Sequence, residues 1–201
     1  MSNRRIAPRA SARGARRRDP SGPWVIDTRD VGRRPGSMKR YLRTVPAPDG
    51  LGVPGVASVA KGSDILLEVR VESVVEGVLL SGTAAADVTG ECSRCLDPLS
   101  ERLVVDITEL YAYPDSATDT STDEDEVSRV VDDLVDTEPV VRDAMLLALP
   151  QVPLCADDCA GLCPECGGKR AELGPDHRHE TMDPRWAALR GWRGDTEEEN
   201  E

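Results

Sequence analysis

From Ile65 to Glu72 apolar and charged positions alternate, with Ile65, Leu67, Val69 and Val71 set against Glu68, Arg70 and Glu72. A period of two predicts a half-buried strand, because successive strand side chains point to opposite faces. Glu76-Gly77 supplies a turn. Val78, Leu80, Gly82, Ala84, Ala86 and Val88 then alternate with Ser81, Thr83, Asp87 and Thr89. A third strand comes next, with Leu103, Val105 and Ile107 on one face and Arg102, Asp106 and Thr108 on the other. The three predict an antiparallel meander. Upstream, Trp24-Val25-Ile26-Asp27 predicts a short strand, Arg33 to Met38 a turn-rich basic segment, and Val45 to Pro54 a Pro/Gly-punctuated loop.

Residues 114–126 are dominated by Asp, Ser, Thr and Glu, a composition too polar to bury, and predict a disordered acidic loop. Val127 to Val135 fits either a short strand or a helix. Between Thr137 and Leu149 the pattern predicts a helix: Thr137 can cap, Pro139 falls in the first turn where a missing N–H costs little, and Pro150 stops it. Val140, Ala144 and Leu147, with Val141, Met145 and Ala148, give it a broad apolar side to lay on the sheet. Beyond, Asp183-Pro184-Arg185 opens a helical pattern with Trp186, Leu189 and Trp192 on one side. Core packing over a small module is the expected role of that stripe, ahead of a docking surface.

The 201 residues suit one domain with extended ends, and a 3% aromatic content without any Phe requires an aliphatic core. No apolar run approaches the roughly 20 residues of a membrane helix. The stretch Met1 to Arg18 is Arg-rich and lacks the apolar segment of a secretory signal, so a cytoplasmic location without membrane contact is expected. The net charge of −12 is unevenly placed. Met1 to Arg43 holds 13 basic residues against 3 acids, whereas the remainder holds 12 against 34. The division is therefore a basic arm over 1–22, expected to be disordered, a domain over 23–193, and an acidic tail over 194–201. A basic arm can bind polyanions by releasing counterions; the competing expectation is a solvated tail with no partner.

The strongest chemistry lies in six cysteines and two histidines. Cys92 and Cys95 form one C-x-x-C between the second and third predicted strands. Cys155, Cys159, Cys163 and Cys166 come some sixty residues later, then His177 and His179. Two thiolates spaced this way aim both sulfurs at one point, and four such ligands complete the tetrahedron zinc prefers. Three pairings are open. Cys92, Cys95, Cys155 and Cys159 make one site and Cys163, Cys166, His177 and His179 another; or the two C-x-x-C pairs share an ion; or the distal segment 155–179 alone binds. The first is preferred: Cys163-Pro164-Glu165-Cys166-Gly167 has knuckle form, His177 and His179 face one way on an extended segment, and Cys155 and Cys159 share a face on a helical turn. No ligand position is left for water or substrate, so zinc with a structural role is expected, and no catalytic residue is assigned. A redox C-x-x-C is the alternative, although such a pair usually lies between a strand and a helix. There is no Ser-His-Asp pattern, no Gly-rich phosphate loop and no H-E-x-x-H.

Three stretches together carry a resemblance: Glu91-Cys92-Ser93-Arg94-Cys95-Leu96-Asp97-Pro98, Leu146-Leu147-Ala148-Leu149-Pro150, and the run from Pro153-Leu154-Cys155 to Cys166-Gly167. In these the chain resembles the YceD family, named for large ribosomal RNA subunit accumulation, over roughly residues 24–192. Many relatives end the cysteine cluster with C-x-C where this chain has His177-Arg178-His179, which keeps ligand chemistry. The resemblance implies a non-enzymatic ribosome-biogenesis factor whose partner is large-subunit rRNA or a precursor ribosomal particle, with assembly proteins as further candidates. The expected fold is α+β: an antiparallel sheet, a packed helix and a C-terminal zinc-knuckle segment. Expected phosphate contacts are Arg4, Arg5, Arg9, Arg13, Arg16, Arg17, Arg18, Arg33, Arg34, Lys39 and Arg40. Functions of other classes are a thiol redox enzyme or sensor, and a protein-binding adaptor without RNA contact.

Overall fold

Two long strands carry the architecture. In this computed structural model, which describes residues 21–114, 116–121, 127–179 and 185, β6 (Gly77–Glu91) and β7 (Pro98–Ala112) pair antiparallel along their whole length, from Gly77↔Ala112 to Glu91↔Pro98. On the other edge of β6 lies β5 (Asp64–Ser73), itself paired with β2 (Met38–Pro46). Where β5 leaves off at Ile65↔Ala86, β4 (Ala57–Val59) takes up β6 at Val59↔Val88, and β3 (Gly52–Val53) pairs with β4. β8 (Ser128–Arg129) joins the end of β7 in parallel, completing a seven-stranded sheet. β1 (Val25–Asp27) and β9 (Leu134–Asp136) form a separate two-stranded ribbon.

The alternation read from the sequence is the burial pattern. Ile65, Leu67, Val69 and Val71 are at most 3% exposed, and Val78, Leu80, Ala84, Ala86 and Val88 face the same core, while Glu68 and Arg70 face out. Each fully buried aliphatic side chain stabilises by about 1.5–3 kcal/mol. The core is closed by Trp24 just before the ribbon, by Ile26 within it, and by α2 (Glu138–Ala148), which sends Val141 and Met145 inward. The residues 127–135, open between helix and strand, are extended: β8, then a bridge Val131↔Leu134, then β9.

Four expectations are corrected. Residues 39–44 carried no predicted element, yet they lie in β2, which also takes Val45 and Pro46 from the expected loop. As an edge strand β2 needs few inward anchors. Val45 is buried, but Met38 and Leu42 are 58% and 70% exposed and the basic residues between them blunt the edge. Within the expected disordered acidic loop, Ala117–Ser121 forms a short helix, α1, whose Asp119 pairs with Arg129 of β8 at 2.5 Å. Thr137 does not cap α2 with its side chain; its hydroxyl donates to the Trp24 carbonyl at 2.7 Å, and Asp136 Oδ1 accepts the Glu138 N–H instead. Finally, Leu147, expected on the sheet-facing side, is 88% exposed, because Val141 and Met145 enter the core, Val140 and Ala144 pack half-buried against it, and Leu147 lies beyond them. The arm before residue 21, residues 122–126 of the acidic loop, the Trp186–Trp192 stripe and the acidic tail lie outside the described residues.

Candidate metal centre

The β6–β7 hairpin positions the first thiol pair. Glu91 ends one strand and Pro98 starts the other, so Cys92 to Cys95 form the tip. The tip folds as a tight knuckle: the Leu96 N–H donates to the Cys92 carbonyl at 2.8 Å, and the Cys92 N–H to the Asp97 carbonyl at 2.8 Å. The distal knuckle repeats this pattern. Gly167 N–H donates to the Cys163 carbonyl at 2.8 Å, and Cys163 N–H to the Gly168 carbonyl at 2.7 Å. In both, the residue after the second cysteine has a positive φ, 61° at Leu96 and 69° at Gly167. Glycine adopts that conformation freely; leucine does so at a steric cost.

Past α2 the chain returns to the hairpin tip. Ser93 N–H donates to the Pro153 carbonyl (2.8 Å), Leu162 N–H to the Arg94 carbonyl (3.0 Å), and Arg94 Nη1 to the carbonyls of Asp157 (3.0 Å) and Cys159 (3.1 Å). Gly161 sits so close that a Cβ there would lie 3.0 Å from the Arg94 carbonyl oxygen. This stitching brings Cys155 and Cys159 to the tip, on a tight turn closed by Cys159 N–H to the Ala156 carbonyl (3.1 Å) rather than on the helical turn expected. Lys169, from the distal module, ion-pairs with Asp97 of the hairpin.

The eight donors fall into two groups, Cys92, Cys95, Cys155 and Cys159, and Cys163, Cys166, His177 and His179, with the ligand atoms of each within 4.8 Å of one another. Among the described residues this is the first of the three pairings. Zinc–sulfur bonds of about 2.3 Å at tetrahedral angles separate sulfurs by about 3.8 Å. The Cys92–Cys159 and Cys95–Cys155 Sγ separations are 3.8 and 3.6 Å. A mixed S–N edge is about 3.5 Å by the same geometry, and Cys166 Sγ lies 3.6 Å from His177 Nε2. The two histidine Nε2 atoms are 2.8 Å apart, tighter than the N–N edge of about 3.3 Å that a shared ion requires. The donor sets fit a metal ion; the histidine pair has to spread slightly to share one.

Charge leads to the same chemistry. The N–H groups of Cys95, Arg94 and Cys155 converge on Cys92 and, against burial, pull its pKa down to about 6. The N–H of Cys166, then that of Glu165, then His177 bring Cys163 down to about 6. At Cys95 the Asp97 N–H pulls the other way, but burial and the sulfurs of Cys92, Cys155 and Cys159 push the thiol up to about 12. Cys155 is raised by its neighbour Cys159. Thiols this close cannot all ionise without a counter-charge, and a divalent cation supplies one. The sites differ in access: Cys92 and Cys95 are buried, whereas Cys166 and His179 are exposed beside a cavity of about 450 Å3 lined by Glu165, Arg170 and Arg178.

The expected phosphate contacts are dispersed. Arg33 pairs with Asp133 at 3.0 Å and stacks 5.1 Å from the Tyr113 ring; Lys39 pairs with Asp30 at 2.7 Å. Arg34 and Arg40 form no ion pair among the described residues and stay available to an anion. Arg4, Arg5, Arg9, Arg13, Arg16, Arg17 and Arg18 lie outside them. Sequence reasoning missed Arg94, Asp97 and Lys169 as the groups that lock the two modules together. Arg94 and Asp97 stand in and beside the first knuckle, where their position was the available signal; Lys169 had none. No helix among the described residues is long and apolar enough to cross a membrane.

Comparison with known proteins fits this arrangement. Uncharacterized proteins of Mycobacterium tuberculosis and Mycobacterium bovis are each 49% identical over 187 residues, 92% of this chain and 89% of the relative. One of Mycobacterium leprae is 42% identical over 167 residues, 83% and 76% respectively. No solved structure matches. The family described as large ribosomal RNA subunit accumulation protein YceD matches residues 80–191, from within β6 through both cysteine groups. On that match and on the length of chain shared with these relatives, the chain belongs to the YceD family.

Proposed function

We propose that this chain is a non-enzymatic ribosome-biogenesis factor that supports accumulation of large-subunit rRNA, with zinc holding its C-terminal third to the sheet. The family match over residues 80–191 carries the reading. The donor count supports a structural role, since four protein ligands per group close a tetrahedral site, whereas a catalytic zinc keeps one position for water or substrate. The partner is large-subunit rRNA or a precursor particle, reached in the cytoplasm through the arginines of the arm and through Arg34 and Arg40, which are in no ion pair among the described residues.

Sedimentation of the tagged protein through gradients, before and after RNase, tests the partner. Co-migration with large-subunit precursors that RNase abolishes supports the reading. Co-migration that survives RNase makes the chain a protein-binding adaptor, and absence from precursor fractions rejects both. One observation favours a second reading, a thiol redox protein: Cys92 and Cys163 are both pulled down to about 6, as reactive thiols are. Metal analysis of protein purified under reductant separates the two. Stoichiometric zinc with inert thiols supports the structural role; metal-free protein with rapidly alkylated thiols supports redox chemistry.

A further inference from the structure

The stripe Val140, Ala144 and Leu147 of α2 lies at the edge of the core, its first two residues half-buried against it and Leu147 exposed, and its outer side lines something else. With Pro139 and Asp143 it makes one wall of a groove of about 300 Å3 whose other wall is β7 from Asp106 to Glu109. Among the described residues that wall is an open strand edge. β7 pairs with β6 on one side, while β8 covers only Tyr111 and Ala112 on the other, so no described strand lies beside Asp106–Glu109. Three carboxylates rim the groove, Asp106, Glu109 and Asp143, and none is in an ion pair among the described residues. An apolar floor, unpaired backbone and an acidic rim call for an extended basic segment.

Such a segment starts beside the groove. The Trp24 carbonyl accepts both the Thr137 N–H (3.0 Å) and the Thr137 hydroxyl (2.7 Å), one residue before α2 begins. Residues 1–20 therefore join the described chain a few residues from Pro139 at the groove's end. They hold seven arginines against the single acid Asp19, and Arg9-Ala10-Ser11-Ala12-Arg13 alternates small apolar with polar positions. Twenty extended residues span up to about 66 Å, far more than the groove's length along α2 of about 12 Å. A tether this short gives an effective concentration on the order of millimolar, so weak contacts suffice.

We infer that residues 1–20 dock in cis along the α2–β7 groove, adding an extended strand to the open edge of β7 with guanidinium groups on Asp106, Glu109 and Asp143. Docking stands independently of the RNA reading, and its test contains no RNA.

The arginines make trypsin the natural probe. Cleavage within residues 1–20 of the full chain is followed by mass spectrometry in the parent protein, in Asp106→Lys/Asp143→Lys, in the mild variant Leu147→Ser, and in the control Glu68→Lys. Glu68 is exposed elsewhere on the sheet and outside the groove. Arm cleavage is expected to be at least about fivefold faster in the double variant, faster also in Leu147→Ser, and unchanged in the control. Leu147 is 88% exposed, so its replacement leaves folding intact and keeps the test valid should the double variant unfold. Equal rates in all four proteins, or equal acceleration by the control, overturns the docking. Protection that grows with protein concentration overturns its intramolecular form and assigns the groove to a second copy.

Discussion

At the scale of single residues, the two knuckles differ most at the position after the second cysteine. Gly167 occupies its left-handed backbone conformation freely, while Leu96 holds the equivalent one with φ 61° and a side chain 57% exposed. Leu96→Gly removes that strain while giving up little packing, and is expected to raise the unfolding free energy of the metal-loaded protein by about 0.5–1 kcal/mol. Urea denaturation measures it, and a loss of stability would show that the leucine side chain contributes more than its backbone costs. The thiols give a pH signature. Cys92 and Cys163, depressed to about 6 by converging N–H groups, are thiolates at neutral pH. Their charged form is present above pH 6 and is lost as pH falls through it. The initial capture of zinc by these two thiolates in metal-free protein is therefore expected to be nearly independent of pH from 8 down to about 6, then to slow by about tenfold per unit below. Closure onto Cys95 and Cys155, whose thiols are raised, releases protons and stays pH-dependent. Stopped-flow capture that keeps accelerating to pH 9 would mark these as ordinary thiols.

Among elements, α2 divides sharply into a buried line and an open one. Met145 is fully buried and Leu147 is 88% exposed, although both belong to the apolar side drawn from the sequence. Met145→Ala is expected to destabilise by about 2–5 kcal/mol, and Leu147→Ala by less than about 0.5 kcal/mol. Thermal or urea melting of the pair checks the helix's rotation; similar losses would place Leu147 in the core. This division explains what the sequence could and could not disclose. Strict alternation from Ile65 to Val88 determined the inward faces of β5 and β6, because one-sided burial leaves a period-two record. The short-range donor pairs were legible from spacing, but which pairs share a site was not: three pairings stayed open until the chain's return to the hairpin tip placed Cys155 and Cys159 beside Cys92 and Cys95. β2 was hidden because an edge strand with Lys39, Arg40 and Arg43 along it buries only Val45 deeply. The rotation of α2 was hidden because an apolar arc broader than the face it buries does not say which line meets the sheet. Lys169 on Asp97 depends on two segments meeting in space, which no local pattern encodes.

For the molecule as a whole, the sheet has its own aliphatic core, and residues 155–179 do not. Within that segment only Gly161 and Cys163 are buried. Removing metal with a chelator is thus expected to lower the melting midpoint and to speed amide exchange across 155–179, while exchange in β5 and β6 stays slow. Unchanged exchange in 155–179 would mean that the stitching around Arg94 holds without an ion. If the arm binds RNA, deleting residues 1–18 lowers the slope of log K against log salt by about 0.7–0.9 for each phosphate that the arm neutralises. An unaltered slope in filter binding would remove the arm from the RNA surface. The hydrogen-bonded return of the chain to the hairpin tip also has a consequence in time. Synthesis delivers Cys92 and Cys95 some sixty residues before Cys155 and Cys159, so a growing chain carries half of the first donor group and an unfinished bend until the segment that follows α2 is made. A chain that stops short of Cys155 therefore keeps the hairpin tip but lacks the segment that hydrogen-bonds to it through Ser93 and Arg94.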